Sequence, residues 1–67
     1  MPSPDAEVAY TKPDHPYPGF INVQRHGDKV TFIIRGDARD GKEGQRANLT
    51  IPWSEARRFF RQCLGEN

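Results

Sequence analysis

The sequence predicts a small α+β domain, in which a three-stranded antiparallel β-meander is covered on one face by a C-terminal amphipathic helix. The prediction rests on three apolar–polar alternating segments, a tight-turn signal between the first two, and apolar residues at helical spacing after Pro52. A chain of 67 residues forms one domain and buries only about 60% of its unfolded surface. The single cysteine excludes an intrachain disulfide, so we expect a homodimer to support this thin core.

The first 19 residues form a proline-rich N-terminal arm, which we expect to be extended or partly disordered. Five of the six prolines lie in this arm, at positions 2, 4, 13, 16 and 18. Val8 and Tyr10 alternate with polar neighbours, so Glu7–Thr11 is a candidate for an additional edge strand. The single β-β-β-α domain is then predicted to span residues 20–67.

A β-hairpin is the clearest local signal in the chain. Its strands are predicted over Phe20–Arg25 and Val30–Arg35, and Gly27 can adopt the positive φ that a two-residue primed turn requires. Alternation places Asn22 and Gln24 on the outer face. The positions predicted to face the core are Ile21, Val23, Val30, Phe32 and Ile34.

A polar loop, Gly36–Arg46, leads to a third predicted strand, Ala47–Ile51, and then to the helix. Pro52 suits the first helical turn, and a carboxylate at Glu55 favours the helix N-terminus. Gly65 follows the last apolar residue and is predicted to end the helix. The rest of the predicted core comes from this segment: Leu49, Ile51, Trp53, Ala56, Phe59, Phe60, Cys63 and Leu64.

No group of residues predicts catalysis, so we expect the protein not to be an enzyme. His15 lies in the arm, His26 lies in the hairpin turn, and Cys63 falls on the apolar stripe, which leaves no nucleophile–base pair. The loop carboxylates lack the spacing of a calcium loop, and we expect no metal or cofactor. The longest apolar run is Phe32–Ile34 and no leader-like start is present, so we expect a cytoplasmic protein without a membrane span.

The formal net charge of +1 is unevenly distributed along the chain. Residues 1–20 hold three acidic residues and one lysine, whereas residues 21–67 hold nine Lys/Arg and six Asp/Glu. A mildly basic folded part favours nucleic-acid binding, and an ordinary mixed-charge surface is the alternative. The predicted phosphate contacts lie on the sheet and on the outer face of the helix: Lys29, Arg35, Arg46, Arg57, Arg58 and Arg61.

The hairpin and the strand that enters the helix resemble the PC4-type single-stranded-DNA-binding domain. In that family a strand and a short turn precede a Lys-Val-x-x-x-Ile-Arg strand, a pattern that Lys29–Arg35 matches. A later Ile-Ser-Leu-type strand enters the C-terminal helix, where this chain has Leu49–Ile51. The resemblance covers roughly residues 20–64. It implies a curved antiparallel sheet, dimerisation largely through the helices, and phosphate contacts from Lys29, Arg35 and Arg46.

The chain departs from the family pattern at its aromatic residues. Gly36, Asp37 and Ala38 stand where a stacking aromatic is expected, and Phe20 is poorly placed at the end of the outer face. Two functions therefore stay open. One is a non-catalytic module that binds single-stranded nucleic acid. The other is a protein-interaction module that regulates or inhibits a larger assembly, of the kind that phages and other mobile elements encode.

Overall fold

A computed structural model describes residues 3–13 and 15–66, and it confirms the α+β fold class. The described elements are β1 (Ala6–Lys12), β2 (Gly19–His26), β3 (Lys29–Arg35), β4 (Arg46–Pro52) and α1 (Trp53–Cys63). The strands form one antiparallel sheet in the order β1-β2-β3-β4. The candidate edge strand is present as β1, one residue longer at each end than Glu7–Thr11.

Two tight turns shape the connections between the strands. Gly27 has a φ of 60°, as the primed turn between β2 and β3 requires. In the loop between β3 and β4, Asp40 and Gly41 have φ values of 53° and 72°, and Arg39 pairs with Lys42 across them. Two consecutive positive φ values are typical of an Asp-Gly turn, so the predicted solvated loop contains a small hairpin.

Strand alternation gives the sheet two chemically different faces, as the sequence predicts. The register aligns residues in rows that cross neighbouring strands. The helix-side face carries the apolar rows: Val8, Tyr10, Ile21, Val23, Val30, Phe32, Ile34, Ala47, Leu49 and Ile51. The outer face carries mainly polar and basic residues: Glu7, Phe20, Asn22, Gln24, Lys29, Thr31, Ile33, Arg35, Arg46, Asn48 and Thr50.

Helix α1 follows β4 without a loop. Pro52 is the N-cap of the helix and not part of its first turn, because it still pairs with Lys29 as the last residue of β4. At the other end, Gly65 has a φ of 80° and donates its N–H to the carbonyl of Gln62 at 3.0 Å. This glycine ends the helix as predicted.

The core is much smaller than the sequence predicts. Val30 and Ala56 are the only buried hydrophobic residues in the described part of the chain. The ring of Phe32 lies 5.9 Å from that of Phe60 and 6.3 Å from that of Phe59. Eleven helical residues span about 16 Å, which is too short to cover four strands. Six residues predicted to lie in the core are exposed, three on the sheet and three at the C-terminal end of the helix: Ile21, Ile34, Leu49, Phe59, Cys63 and Leu64.

Candidate nucleic-acid interface

One row of the outer face places an aromatic ring beside two arginines. The register pairs Phe20 with Arg35, and Arg35 with Arg46. The guanidinium carbons of Arg35 and Arg46 lie 5.1 Å and 6.0 Å from the centre of the Phe20 ring. These are cation–π distances. We call these three residues the aromatic–arginine corner.

The carboxylate of Glu43, from the loop between β3 and β4, bridges the two arginines. Its Oε1 accepts a hydrogen bond from Nη1 of Arg35 at 2.9 Å and one from Nε of Arg46 at 3.3 Å. The hydrogen bond from Arg35 lowers the pKa of Glu43, and the bond from Arg46 acts in the same direction. An anion thus already occupies the space between the guanidiniums, where a phosphate oxygen would bind in the same way.

The two arginines differ in their freedom to reach a ligand. Arg35 also donates from Nε to the carbonyl of Pro18 at 2.7 Å, and its side chain is only 12% exposed. The side chain of Arg46 is 66% exposed. Arg35 therefore fixes the geometry of the corner, and Arg46 is the arginine that solvent and ligands can reach.

Glycine at position 44 allows the loop to cross close to its own start. A Cβ atom there would collide with the backbone carbonyl of Gly36. This close approach brings Glu43 back over the end of β3, within reach of Arg35. The loop sequence is thus part of the site, although it supplies no strand residue.

The centre of the outer face is polar and hydrogen-bonded within itself. Nδ2 of Asn22 and Nε2 of Gln24 both donate to Oε2 of Glu7, at 3.1 Å and 2.9 Å. The hydroxyls of Thr31 and Thr50 lie 3.0 Å apart. Because Glu7 makes the β1 side of this face negative, attraction for a polyanion is concentrated along β3 and β4.

Lys29 stands at the other end of β3, where it pairs with His26 and Pro52. Six residues of extended chain place it about 20 Å from Arg35 along the strand. Thr31 lies on the outer face between them. Lys29 and Arg35 therefore lie at opposite ends of β3 on the same face of the sheet.

The three helix arginines belong to the other layer of the molecule. Arg57, Arg58 and Arg61 are exposed on the side of α1 that points away from the sheet, and they line a shallow depression of about 360 Å³. Arg58 approaches Glu55 at 3.9 Å, a long and exposed ion pair. The structure therefore separates this basic surface from the aromatic–arginine corner.

Of the three predicted phosphate contacts on the sheet, Arg35 and Arg46 are adjacent and Lys29 lies at the other end of β3, while the three helix arginines form a separate group. Phe20 is not among the residues predicted for the site, yet it supplies the aromatic ring of the aromatic–arginine corner. Alternation already places Phe20 on the outer face with Asn22. The pairing of Arg35 with Arg46, by contrast, closes a ten-residue loop, and no local sequence pattern predicts such a pairing.

The described ranges hold neither a cluster of metal-ligating side chains nor a membrane-spanning helix. There, no three His, Cys, Asp or Glu side chains are grouped so as to hold a metal ion. Within residues 3–13 and 15–66, no helix has the length and apolarity needed to cross a membrane. Cys63 is exposed, not buried on the apolar stripe as predicted.

No protein-family model, curated protein or solved structure matches the chain. The resemblance of Lys29–Arg35 and Leu49–Ile51 to the PC4-type pattern stays a prediction.

Proposed function

We propose that the chain is a non-catalytic module that binds single-stranded nucleic acid on the outer face of its sheet. The observation that carries this proposal is the placement of Phe20 beside Arg35 and Arg46. A base stacks on the Phe20 ring, and a neighbouring phosphate takes the position between the guanidiniums that Glu43 occupies in the free protein. The PC4-type pattern in the sequence points to the same class of ligand.

A single strand fits this surface better than a duplex. Stacking on Phe20 requires an unpaired base, and the outer face presents neither a helix nor a ribbon that would enter a major groove. The strand follows β3 from the corner toward Lys29, which supplies a second phosphate contact. Arg57, Arg58 and Arg61 lie on the other layer and contribute to the positive potential that attracts the ligand.

Fluorescence anisotropy of a labelled single-stranded oligonucleotide tests the proposal. The titration is run at 50 mM and 200 mM salt, with a duplex of the same sequence in parallel. We expect saturable binding that weakens at the higher salt, because phosphate contacts release counterions. The absence of binding at 50 mM salt would overturn the proposal.

A pair of charge-matched variants shows whether binding occurs at the corner. Arg46→Ala and Arg39→Ala each remove one guanidinium, so both change the net charge equally. Arg46 belongs to the corner, whereas Arg39 lies in the small hairpin of the loop. We expect Arg46→Ala to weaken binding by about tenfold or more and Arg39→Ala by much less. Equal losses would show that only net charge matters.

A protein-interaction module is the second candidate, and the unpaired edge of β1 favours it. Val8 and Tyr10 of this strand are exposed, and Val8 borders an apolar groove of about 240 Å³ that also involves Trp53 and Phe60. An extended segment of a partner that pairs with β1 would place its apolar side chains in this groove. Binding of such a partner would change little between the two salt concentrations, which separates this candidate from the first.

A further inference from the structure

The helix-side face of the sheet is only partly covered. Leu49 is 62% exposed and Leu64 is 76% exposed, although both are large apolar residues. Ile34 and Phe59 are exposed as well. Ile34 belongs to β3, Leu49 to β4, and Phe59 and Leu64 to the C-terminal half of α1 and the turn after it. The uncovered apolar surface therefore lies where β3 and β4 meet the C-terminal half of the helix.

The chain has more surface than its mass requires. Its accessible surface is 5492 Å², whereas a globular monomer of 7.7 kDa is expected to expose about 4,300 Å². Its radius of gyration is 13.9 Å, against about 11 Å for a compact domain of this length. The exposed strand β1 and the open helix-side face both contribute to this excess of about 1,200 Å², which is large enough to include the 800 Å² or so that each partner buries in a standard interface.

The uncovered region carries few charged groups that an interface would have to desolvate. At its border on β1, Lys12 lies near Ile34 and is already paired with Asp37 at 3.0 Å. Arg25 is the one charged residue on the helix-side face of the described strands β2, β3 and β4. Its guanidinium lies 3.9 Å from the centre of the Trp53 ring, near the start of the helix. Leu49, Ile34 and Phe59 can therefore be buried without leaving an unpaired charge.

We propose that a second copy of this chain covers the open part of the helix-side face. The C-terminal end of α1, with Phe59 and Leu64, protrudes from the helix-side face, and the sheet surface around Ile34 and Leu49 lies uncovered beside it. A two-fold axis packs the helix end of each copy onto the uncovered sheet surface of the other, which is the self-complementary contact of an isologous dimer. Both outer faces stay open, so this inference does not depend on the proposed function.

The oligomeric state of the whole chain tests this inference. We expect light scattering behind size exclusion to give twice the 7.7 kDa chain mass, and the melting temperature to rise by several degrees over a hundredfold increase in protein concentration. A monomeric mass together with a melting temperature independent of concentration would overturn the inference. If a different protein covers this face, the isolated chain would likewise be monomeric, with a melting temperature independent of its concentration.

Two neighbouring residues of β4 locate the interface. Leu49→Lys places a charge on the helix-side face, and Thr50→Lys places the same charge on the outer face. We expect Leu49→Lys to raise the dimer dissociation constant more than tenfold, while Thr50→Lys leaves it within about twofold. A dimer equally stable in both variants would rule out this surface.

A variant at the helix end covers the case in which Leu49→Lys fails to fold. Leu64 lies beyond the last helical residue and is largely exposed within one chain, so Leu64→Lys removes little intrachain packing. We expect it to give a folded chain, by circular dichroism, with at least tenfold weaker dimerisation. A folded Leu64→Lys protein with unchanged dimerisation would contradict the proposed contact.

Discussion

Arg35 and Arg46 lie directly opposite each other on β3 and β4 and share one oxygen of Glu43. Two guanidiniums this close repel each other, and the shared carboxylate offsets that repulsion. Phe20 lies next to Arg35 in the same row. The corner therefore combines an aromatic face with a position for an anion, the two features that single-strand binding requires.

Removal of the Glu43 carboxylate should strengthen nucleic-acid binding. Glu43→Gln leaves a similar shape but no longer competes with phosphate for the two guanidiniums. We expect about two- to fivefold tighter binding in the anisotropy assay at low salt, the range of an exposed ion pair. Glu66→Gln, beyond the helix, changes the net charge equally and should have a smaller effect. Weaker binding by Glu43→Gln would show that Glu43 positions the arginines for the ligand.

The same carboxylate should make stability depend on pH in the acid range. Its folded-state pKa is lowered from the usual value of 4.5 by the hydrogen bond from Arg35. Ionised Glu43 therefore stabilises the fold above its unfolded-state pKa, and this contribution is lost as the pH falls through the lowered pKa. We expect the difference in melting temperature between the wild type and Glu43→Gln to be constant near neutrality and to shrink below pH 4.5. A difference that persists in acid would exclude the ionised group as its cause.

Loss of the Phe20 ring should weaken binding more than it weakens the fold. Base–aromatic stacking contributes about 1–3 kcal/mol per base, so Phe20→Ala should raise the dissociation constant about 5- to 150-fold. Phe20→Tyr keeps the ring and should bind within about threefold of the wild type. Anisotropy gives the affinities, and a thermal melt verifies that each variant is folded. A folded Phe20→Ala chain with wild-type affinity would remove the stacking role.

The packing of the helix depends on Phe60. This ring contacts Phe32 beneath α1, and Phe60→Ala should lower the free energy of unfolding by about 3–5 kcal/mol. A loss of that size can unfold a domain with so small a core. Thermal melts should show the loss at every protein concentration. No loss of stability would mean that the helix face has been assigned wrongly.

Phe59→Ala is the comparison for Phe60→Ala, because the two rings neighbour each other at 5.8 Å but differ in exposure. Phe59 belongs to the uncovered surface that a second copy is proposed to bury. Its removal should act mainly by weakening the dimer, and the melting temperature should then fall most in dilute solution. Equal losses at all concentrations would place Phe59 in the core of the single chain.

The sequence by itself determined the local structure of this protein. The alternation of Ile21, Val23 and their neighbours defined both faces of the sheet, and Gly27 and Gly65 marked a turn and a helix end where positive φ was needed. These features depend on residues close together in the chain, since strand and helix periods and glycine conformation act over a few positions. They were therefore readable without any knowledge of long-range contacts.

The tertiary structure alone decided which residues meet. Arg46 reaches Arg35 and Glu43 only because the loop after β3 folds back on itself at Gly44, and closure of such a loop leaves no local period in the sequence. The exposure of Leu49 and Phe59 likewise depends on where an eleven-residue helix lies on a four-stranded sheet. Apolar spacing identifies a face that favours burial, but the area available to cover that face is a property of the whole fold.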